Sequence, residues 1–425
     1  MGIPIRSRKR GRRSYADYKP PGRRQPPRSD PFRVVFYLIL IAGALWVYLN
    51  PETVRGLLVT QVEEAARVTG PTPTASADPT NYAAQAEQAY QAGNLSEAIE
   101  YYRQASEVSP NTVDYPFQVA RLLVFRSAME YGQTREATLQ EALDAANKAI
   151  LADPFAPHGY AILGKIKDWQ GRPEEGLSDL QRALEADGTF ALGHSYMAEA
   201  LVDLDRWDQA QTTIQHALSL DPNNVDIRRD YGYILENLGD YASAATQYEA
   251  ALQLHPNLPY LRMALGRVYR VLGRYDEALD QFFTTQTLMP ASALIPFEIG
   301  RTYETYIGDP NSALENYQAA VDLDAGFASP WVRIGTIQYT QGFYSEATAS
   351  FERALALGVN NVDVQYQLGL AYANQGQCGE ALPHLQQARA QAEGDERIID
   401  LVNSGFELCA EPTPTPGVVG ATPTP

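Results

Sequence analysis

Residues 159–166 read Gly159-Tyr-Ala-Ile-Leu-Gly164-Lys165-Ile166 and match seven positions of a phosphate-cradling loop. In such a loop the glycines let backbone N–H groups reach phosphate, the lysine neutralises it, and a following Ser or Thr holds magnesium. Here isoleucine follows, and apolar residues at helical spacing surround the motif, so it lacks the strand that should lead into it. Gly164 reads as a packing residue. Asp322-Leu-Asp-Ala-Gly326 opens like a calcium loop but lacks the later ligands, and it falls at a turn. The five histidines (His158, His194, His216, His255, His384) fall in separate helices or turns, with no HExxH and no paired His–Cys spacing. There is no GxSxG elbow. Asn94-Leu95-Ser96 is a glycosylation acceptor in form and a turn leading into a helix in context. The chain therefore reads as a non-enzyme, without cofactor or metal.

The elements around these residues point elsewhere. Of 425 residues, 34 are Lys or Arg and 51 Asp or Glu, for a net charge of −17. Residues 1–33 hold eleven basic residues against Asp17 and Asp30, net +9, and the difference between −17 and +9 leaves −26 on the remainder. So acidic a body repels phosphate, which excludes nucleic acid as a partner of residues 79–410. Apolar residues make up 45% of the chain, enough for a sizeable core.

After the basic arm, residues 34–49 carry no charge. A helix there spans about 24 Å, slightly short of a ~30 Å hydrocarbon core. Snorkelling by Arg33 and interfacial Tyr37, Trp46 and Tyr48 close much of the gap. We read an uncleaved anchor; a cleaved signal peptide and a buried soluble helix are the alternatives. Basic residues lie overwhelmingly before the span, which orients the N-terminus to the cytoplasm and the rest outside the cell membrane. Residues 50–69 have the spacing of a short amphipathic helix or stalk. Residues 70–78 and 411–425 are Pro/Thr-rich, a linker and a tail that cannot fold compactly.

Residues 79–410 are self-similar. A column of small residues runs Ala86, Ala120, Gly164, Ala198, Gly232, Gly266, Gly300, Gly335, Gly369, at gaps of 34 except for one of 44 and one of 35. A second small column follows twelve residues later (Ala98, Gly176, Ala210, Ala244, Ala278, Ala347, Ala381), with Ala142 and Ala313 reached after insertions of ten residues and one. Four residues on comes a mostly bulky column: Tyr102, Leu180, Ile214, Tyr248, Phe282, Tyr317, Phe351, Leu385. Each unit thus reads as a helix, a turn centred on Gly93, Gly171, Gly239, Gly273, Gly342 or Gly376, and a second helix, often closed by proline. One such pair cannot bury its apolar face alone, so units must stack.

This pattern resembles the tetratricopeptide repeat family, over nine repeats and a closing helix near 395–409. Trp331 and Ile334-Gly335 fall as the family pattern has them; Gly176, residues 113–154 and Pro383 depart from it. The resemblance implies an all-α, right-handed superhelical solenoid with a C-terminal cap, here preceded by one transmembrane helix. It implies a concave groove lined by the first helices, where Arg229, Tyr233, Arg267, Arg270 and Arg301 converge. Arginine forks there suit extended or helical peptides with carboxylates; a solvated face is the alternative. Ser127–Glu136, the insertion, reads as a longer helix pair or a protruding loop. Cys378 opens the last repeat's second helix and Cys409 ends the cap. Antiparallel neighbours of equal length bring both sulfurs to one end, so a disulfide is expected, with two unpaired thiols as the alternative. The function that follows is a membrane-anchored scaffold for protein partners in envelope assembly or secretion. A cytoplasm-facing adaptor or chaperone co-factor and a glycan-binding subunit of an envelope enzyme complex are the alternatives.

Overall fold

The computed structural model describes residues 78–410. The basic arm 1–33, the span 34–49, the 50–69 segment, the linker up to 77 and the tail 411–425 lie outside the described residues. Asp78, assigned to the linker by composition, caps the first helix by accepting from the Thr80 N–H. Among the described residues there are only helices and turns, and no helix is long and apolar enough to cross a membrane.

Nine helix pairs follow one another: α1 (Pro79–Gln91) with α2 (Leu95–Val108), α3 (Asp114–Ser127) with α4 (Gly132–Ala152), α5 (Pro157–Trp169) with α6 (Pro173–Ala186), α7 (Ala191–Asp203) with α8 (Trp207–Leu220), and α9 (Val225–Asn237) with α10 (Tyr241–Leu254). Then come α11 (Pro259–Val271) with α12 (Tyr275–Leu288), α13 (Leu294–Thr302) with α14 (Pro310–Leu323), α15 (Ala328–Thr340) with α16 (Tyr344–Ala356), and α17 (Val362–Asn374) with α18 (Cys378–Gln391). A closing helix, α19 (Glu396–Ala410), packs on α17 and α18 through Ile398 and Val402.

The columns explain the pairing. A Cβ on Gly232 would lie 2.6 Å from the Tyr248 ring; on Gly266, 2.5 Å from Phe282; on Gly335, 2.8 Å from Phe351. The small residue of each first helix is therefore the seat of the bulky residue sixteen positions later in the second. Gly176, which replaces the usual alanine, has its own reason: a Cβ there would stand 2.6 Å from the Gly164 carbonyl. The six predicted turn glycines all have positive φ, while Asp205 takes that place between α7 and α8.

Both insertions are absorbed inside the array. The single extra residue of the seventh pair becomes a π-helical turn, Tyr303–Ile307, continuing α13. The ten-residue insertion lengthens α4 to 21 residues, as the longer-pair reading expects. Its turn braces distant repeats instead of protruding. Tyr131 stacks on Phe327 at 3.8 Å between centroids and donates to Asp324, while the Ser292 hydroxyl donates to the Met129 carbonyl. Asp324, in the calcium-like motif, accepts that bond and the Gly326 N–H, as a turn residue does.

A second long-range contact joins the first pair to the sixth. The Asn257 side chain donates to the Gln91 carbonyl (3.2 Å), and Tyr90 and Tyr260 hydroxyls meet at 3.1 Å. Gly93 sits in this contact at φ +86°, where a Cβ would lie 2.1 Å from the Asn257 carbonyl oxygen. Gly171 has a similar φ but nothing within 4 Å of its Cβ position. Positive φ alone costs an L-residue about 1–2 kcal/mol. Gly93→Ala should therefore destabilise the array by at least about 1 kcal/mol more than Gly171→Ala in urea titrations. Equal losses would remove the contact from the account of stability.

Candidate functional site

The first helices of the third to sixth pairs (α5, α7, α9 and α11) face one side of the array and, with α3 and α4, enclose a cavity of about 1000 Å³. α3 reaches across to them: Arg121 donates to Asp226 (2.7 Å) and Phe125 stacks on Tyr260 at 4.4 Å. Asp168, Trp169, Glu199, Asp203, Arg229, Tyr233, Glu236 and Arg267 are among the lining residues.

Beneath the cavity lies a closed set of two cations and two carboxylates. Lys165, in α5, is 1% exposed and donates to Glu199 (2.6 Å) and Asp230 (3.2 and 3.4 Å). Arg229 donates to the same pair at 2.6 and 2.8 Å. Trp169 Nε1 and the Ser195 hydroxyl complete the carboxylates' partners. Burial pushes the Glu199 carboxyl up, but Arg229 and Lys165 outweigh it and hold it at about 2. Asp230 stays raised by burial. This is a structural use of charge, since each ion is desolvated only because its partners are in place.

Asp168 and Asp203 stand apart from that set. Asp168 is 3% exposed, and neither of its carboxylate oxygens accepts a hydrogen bond from a donor of the described chain. Its close polar neighbour is a second carboxyl, Asp203, with which it can share a proton. Burial first, then Glu199 and Asp203, push Asp168 up to about 9. Asp203 is also raised by burial, against the hydrogen bond it accepts from Tyr233 (2.8 Å).

A tetratricopeptide-repeat profile matches residues 197–259, 236–285 and 332–396, and a second matches residues 82–112. The chain carries tetratricopeptide repeats. It is 26% identical over 151 residues to the DnaJ homolog subfamily C member 7 homolog of Schizosaccharomyces pombe, covering 33% of this chain and 31% of that protein. It is 29% identical over 93 residues to the Hsp70-Hsp90 organizing protein 2 of Arabidopsis thaliana, covering 22% and 16%. The matches thus span less than a third of either relative's length. The crystal structure of the APC/C hetero-tetramer Cut9-Hcn1 superposes with a TM-score of 0.51 at 15% identity, over 77% of this chain and 76% of that one, a likeness of fold.

The predicted groove residues divide. Arg229, Tyr233 and Arg267 line the cavity of the tetratricopeptide array. Arg270 does not: it is 5% exposed and donates to Glu298 at 2.7 Å. Arg301 lies outside the cavity lining, half exposed and 3.4 Å from the same carboxylate. Burial pushes Glu298 up, and Arg267, Arg270 and Arg301 together hold it below the usual range. The expectation of free arginine forks is thus corrected for Arg229 and Arg270, which are committed within the array. The sequence reading missed Lys165, Glu199 and Asp230 as a unit, and missed Asp168. A signal existed: the position after the small column reads Glu87, Arg121, Lys165, Glu199, Tyr233, Arg267, Arg301, Thr336, Leu370, charged in six of nine repeats.

The Asp168 proton is linked to folding. Above about pH 4 the unfolded carboxyl is ionised, while the folded one keeps its proton until about pH 9. Unfolding in that window releases a proton, so stability falls as pH rises, by at most about 1.4 kcal/mol per pH unit for one group. Asp168→Asn supplies a neutral donor to Asp203 and removes the linkage. Its melting temperature should exceed that of the parent at pH 8 and match it near pH 5. A uniform drop at both would show that Asp168 acts as an ordinary ion.

Proposed function

We propose that the chain is a non-enzymatic scaffold whose tetratricopeptide array captures an extended segment of a protein partner in the cavity between α5, α7, α9 and α11. The observation that carries this reading is that cavity, about 1000 Å³ and lined by charged and aromatic side chains from five consecutive repeats. The volume suits several residues of a peptide. Its walls are set by buried ion pairs, which reduces the ordering cost on binding. The same commitment of charge to structure supports a role without catalysis.

The membrane part of the reading rests on the sequence: an uncharged span at 34–49, a +9 arm before it and an acidic body after it. It makes the protein a single-pass cell-membrane protein of bacterial type, N-terminus cytoplasmic and array extracytoplasmic, serving envelope assembly or secretion. The relative named as an Hsp70-Hsp90 organizing protein favours a second reading, an adaptor or chaperone co-factor facing the cytoplasm.

A random peptide library panned on the full-length chain, followed by hydrogen-exchange mass spectrometry, tests the site. Bound peptides should slow exchange in α5, α7, α9 and α11. Protection confined to the second helices would refute the cavity as the binding face. Protease treatment of spheroplasts, followed with a tag after Pro425, separates the two readings: loss of the tag supports the envelope scaffold, and full protection supports the adaptor.

A further inference from the structure

Two of the cations at the cavity already have carboxylate partners, while Arg267 is in no ion pair among the described residues and its Nε lacks an acceptor; Asp168 and Asp203 are carboxyls without a cation. Lys165 and Arg229 are matched by Glu199 and Asp230. Asp168 and Asp203 form no ion pair with any described residue. A buried carboxyl without donors costs several kcal/mol unless it is neutralised or hydrogen-bonded. Asp168 lacks such donors and can be satisfied by a proton shared with Asp203, which is exposed and accepts from the Tyr233 hydroxyl.

We propose that the Asp168–Asp203 carboxyl pair receives the lysine ammonium or arginine guanidinium of a peptide bound in the cavity. This rests on the peptide-binding reading and names the chemistry of its guest. Three observations carry it. Asp168 is 3% exposed, is among the cavity-lining residues and has both oxygens buried without a donor, so a cation that reaches it meets unmet hydrogen-bonding capacity. Asp203 lines the same cavity from the next repeat, held in place by the Tyr233 hydroxyl, so two carboxyls from α5 and α7 converge on one cation. The body of the chain carries a net −26, which draws basic segments toward it from solution. A cation replaces the shared proton and lets both carboxyls ionise, forming charge-assisted bonds to one buried and one exposed carboxylate. The specificity is the reverse of that expected from a groove of free arginines.

Calorimetric titration of the full-length chain with acetyl-Ala-Lys-Ala-amide tests the assignment, beside the same peptide with norleucine for lysine, and n-butylamine. The expected result is saturable binding of the lysine peptide, at least about tenfold weaker for the norleucine peptide and for the Asp168→Asn protein, a loss of about 1.4 kcal/mol or more. Asp203→Asn should behave alike, and circular dichroism confirms that both variants keep their helix content. Equal affinity of parent and Asp168→Asn would reduce the effect to general attraction by an acidic surface and overturn the proposal. Binding of n-butylamine as tight as that of the peptide would assign the pair to free amines and overturn the peptide source. Library peptides that protect α5 and α7 equally well after every Lys and Arg is replaced by norleucine would overturn the proposal while leaving the peptide site standing. Failure of any peptide to protect those helices would defeat the peptide site itself.

Discussion

Lys165→Met lowers the stability of the array by about 3–5 kcal/mol, the usual loss when one partner of a buried ion pair is removed. The argument is one of charge count. Two cations and two carboxylates lie together with side chains 12% exposed or less. Methionine fills nearly the same space and keeps the contact with the Tyr196 ring, over which the ammonium sits at 4.1 Å. What it removes is a charge, so Arg229 alone must serve both Glu199 and Asp230. The deficit is largest near neutral pH. Glu199 is held at about 2, below its ordinary 4.5, so its stabilising share is present above about pH 4.5 and is lost as pH falls toward 2. The penalty of Lys165→Met should shrink over that range. Adding Asp230→Asn restores the balance, one cation to one carboxylate, and the double variant should be more stable than Lys165→Met alone. Urea titrations of the two single variants, the double variant and the parent give the coupling directly. A penalty below 1 kcal/mol for Lys165→Met would mean the network is not what fixes these helices.

The fold was legible because its packing is local and periodic. Gly232 seats Tyr248 and Gly266 seats Phe282 across sixteen residues of chain, and such a contact repeats at each turn of the pattern. Boundaries followed from glycine turns and proline stops. The charge network was not legible for the opposite reason. Lys165 meets Asp230 across 65 residues and Arg121 meets Asp226 across 105. Those distances are closed by the winding of the stack, which no single repeat encodes. Reading residues one column at a time put Arg229, Arg267, Arg270 and Arg301 on one face, but only Arg229 and Arg267 line the cavity. It could not show that Glu298 draws three of them together from within. The insertion shows the same limit. Its extra length predicted a longer pair, but Tyr131 reaching Asp324 across 193 residues depends on where the chain has travelled in between.

Opening the Cys378–Cys409 bond costs the C-terminal end of the array about 3–4 kcal/mol, and the cost stays there. The two residues are joined across a separation of 31, with Cα atoms 5.4 Å apart, and the chain-entropy relation for a loop of that size gives the figure. Its confinement follows from the architecture. The braces from Tyr131 reach Asp324 and Phe327, ahead of α15, whereas the last pair and α19 are packed on their neighbours, so a change at that end propagates by a single interface. Among the described residues α19 is the last helix. It holds Ile398 and Val402 against the last pair, and Gly405 approaches so closely that a Cβ would lie 2.8 Å from Leu385. The bond ties the far end of this helix to the start of α18. In Cys378→Ser/Cys409→Ser, exchange should accelerate in α18 and α19 and leave α9 and α11 unchanged. Once α19 detaches, Leu370 and Leu385 lose their cover, and α17 becomes the new, poorly protected end. Uniform acceleration along the chain would mean that the array unfolds as one unit, and that its long-range braces at Tyr131 and Asn257 override nearest-neighbour behaviour. Mass spectrometry of the native protein under non-reducing conditions comes first, since two free thiols would leave the variant with nothing to remove.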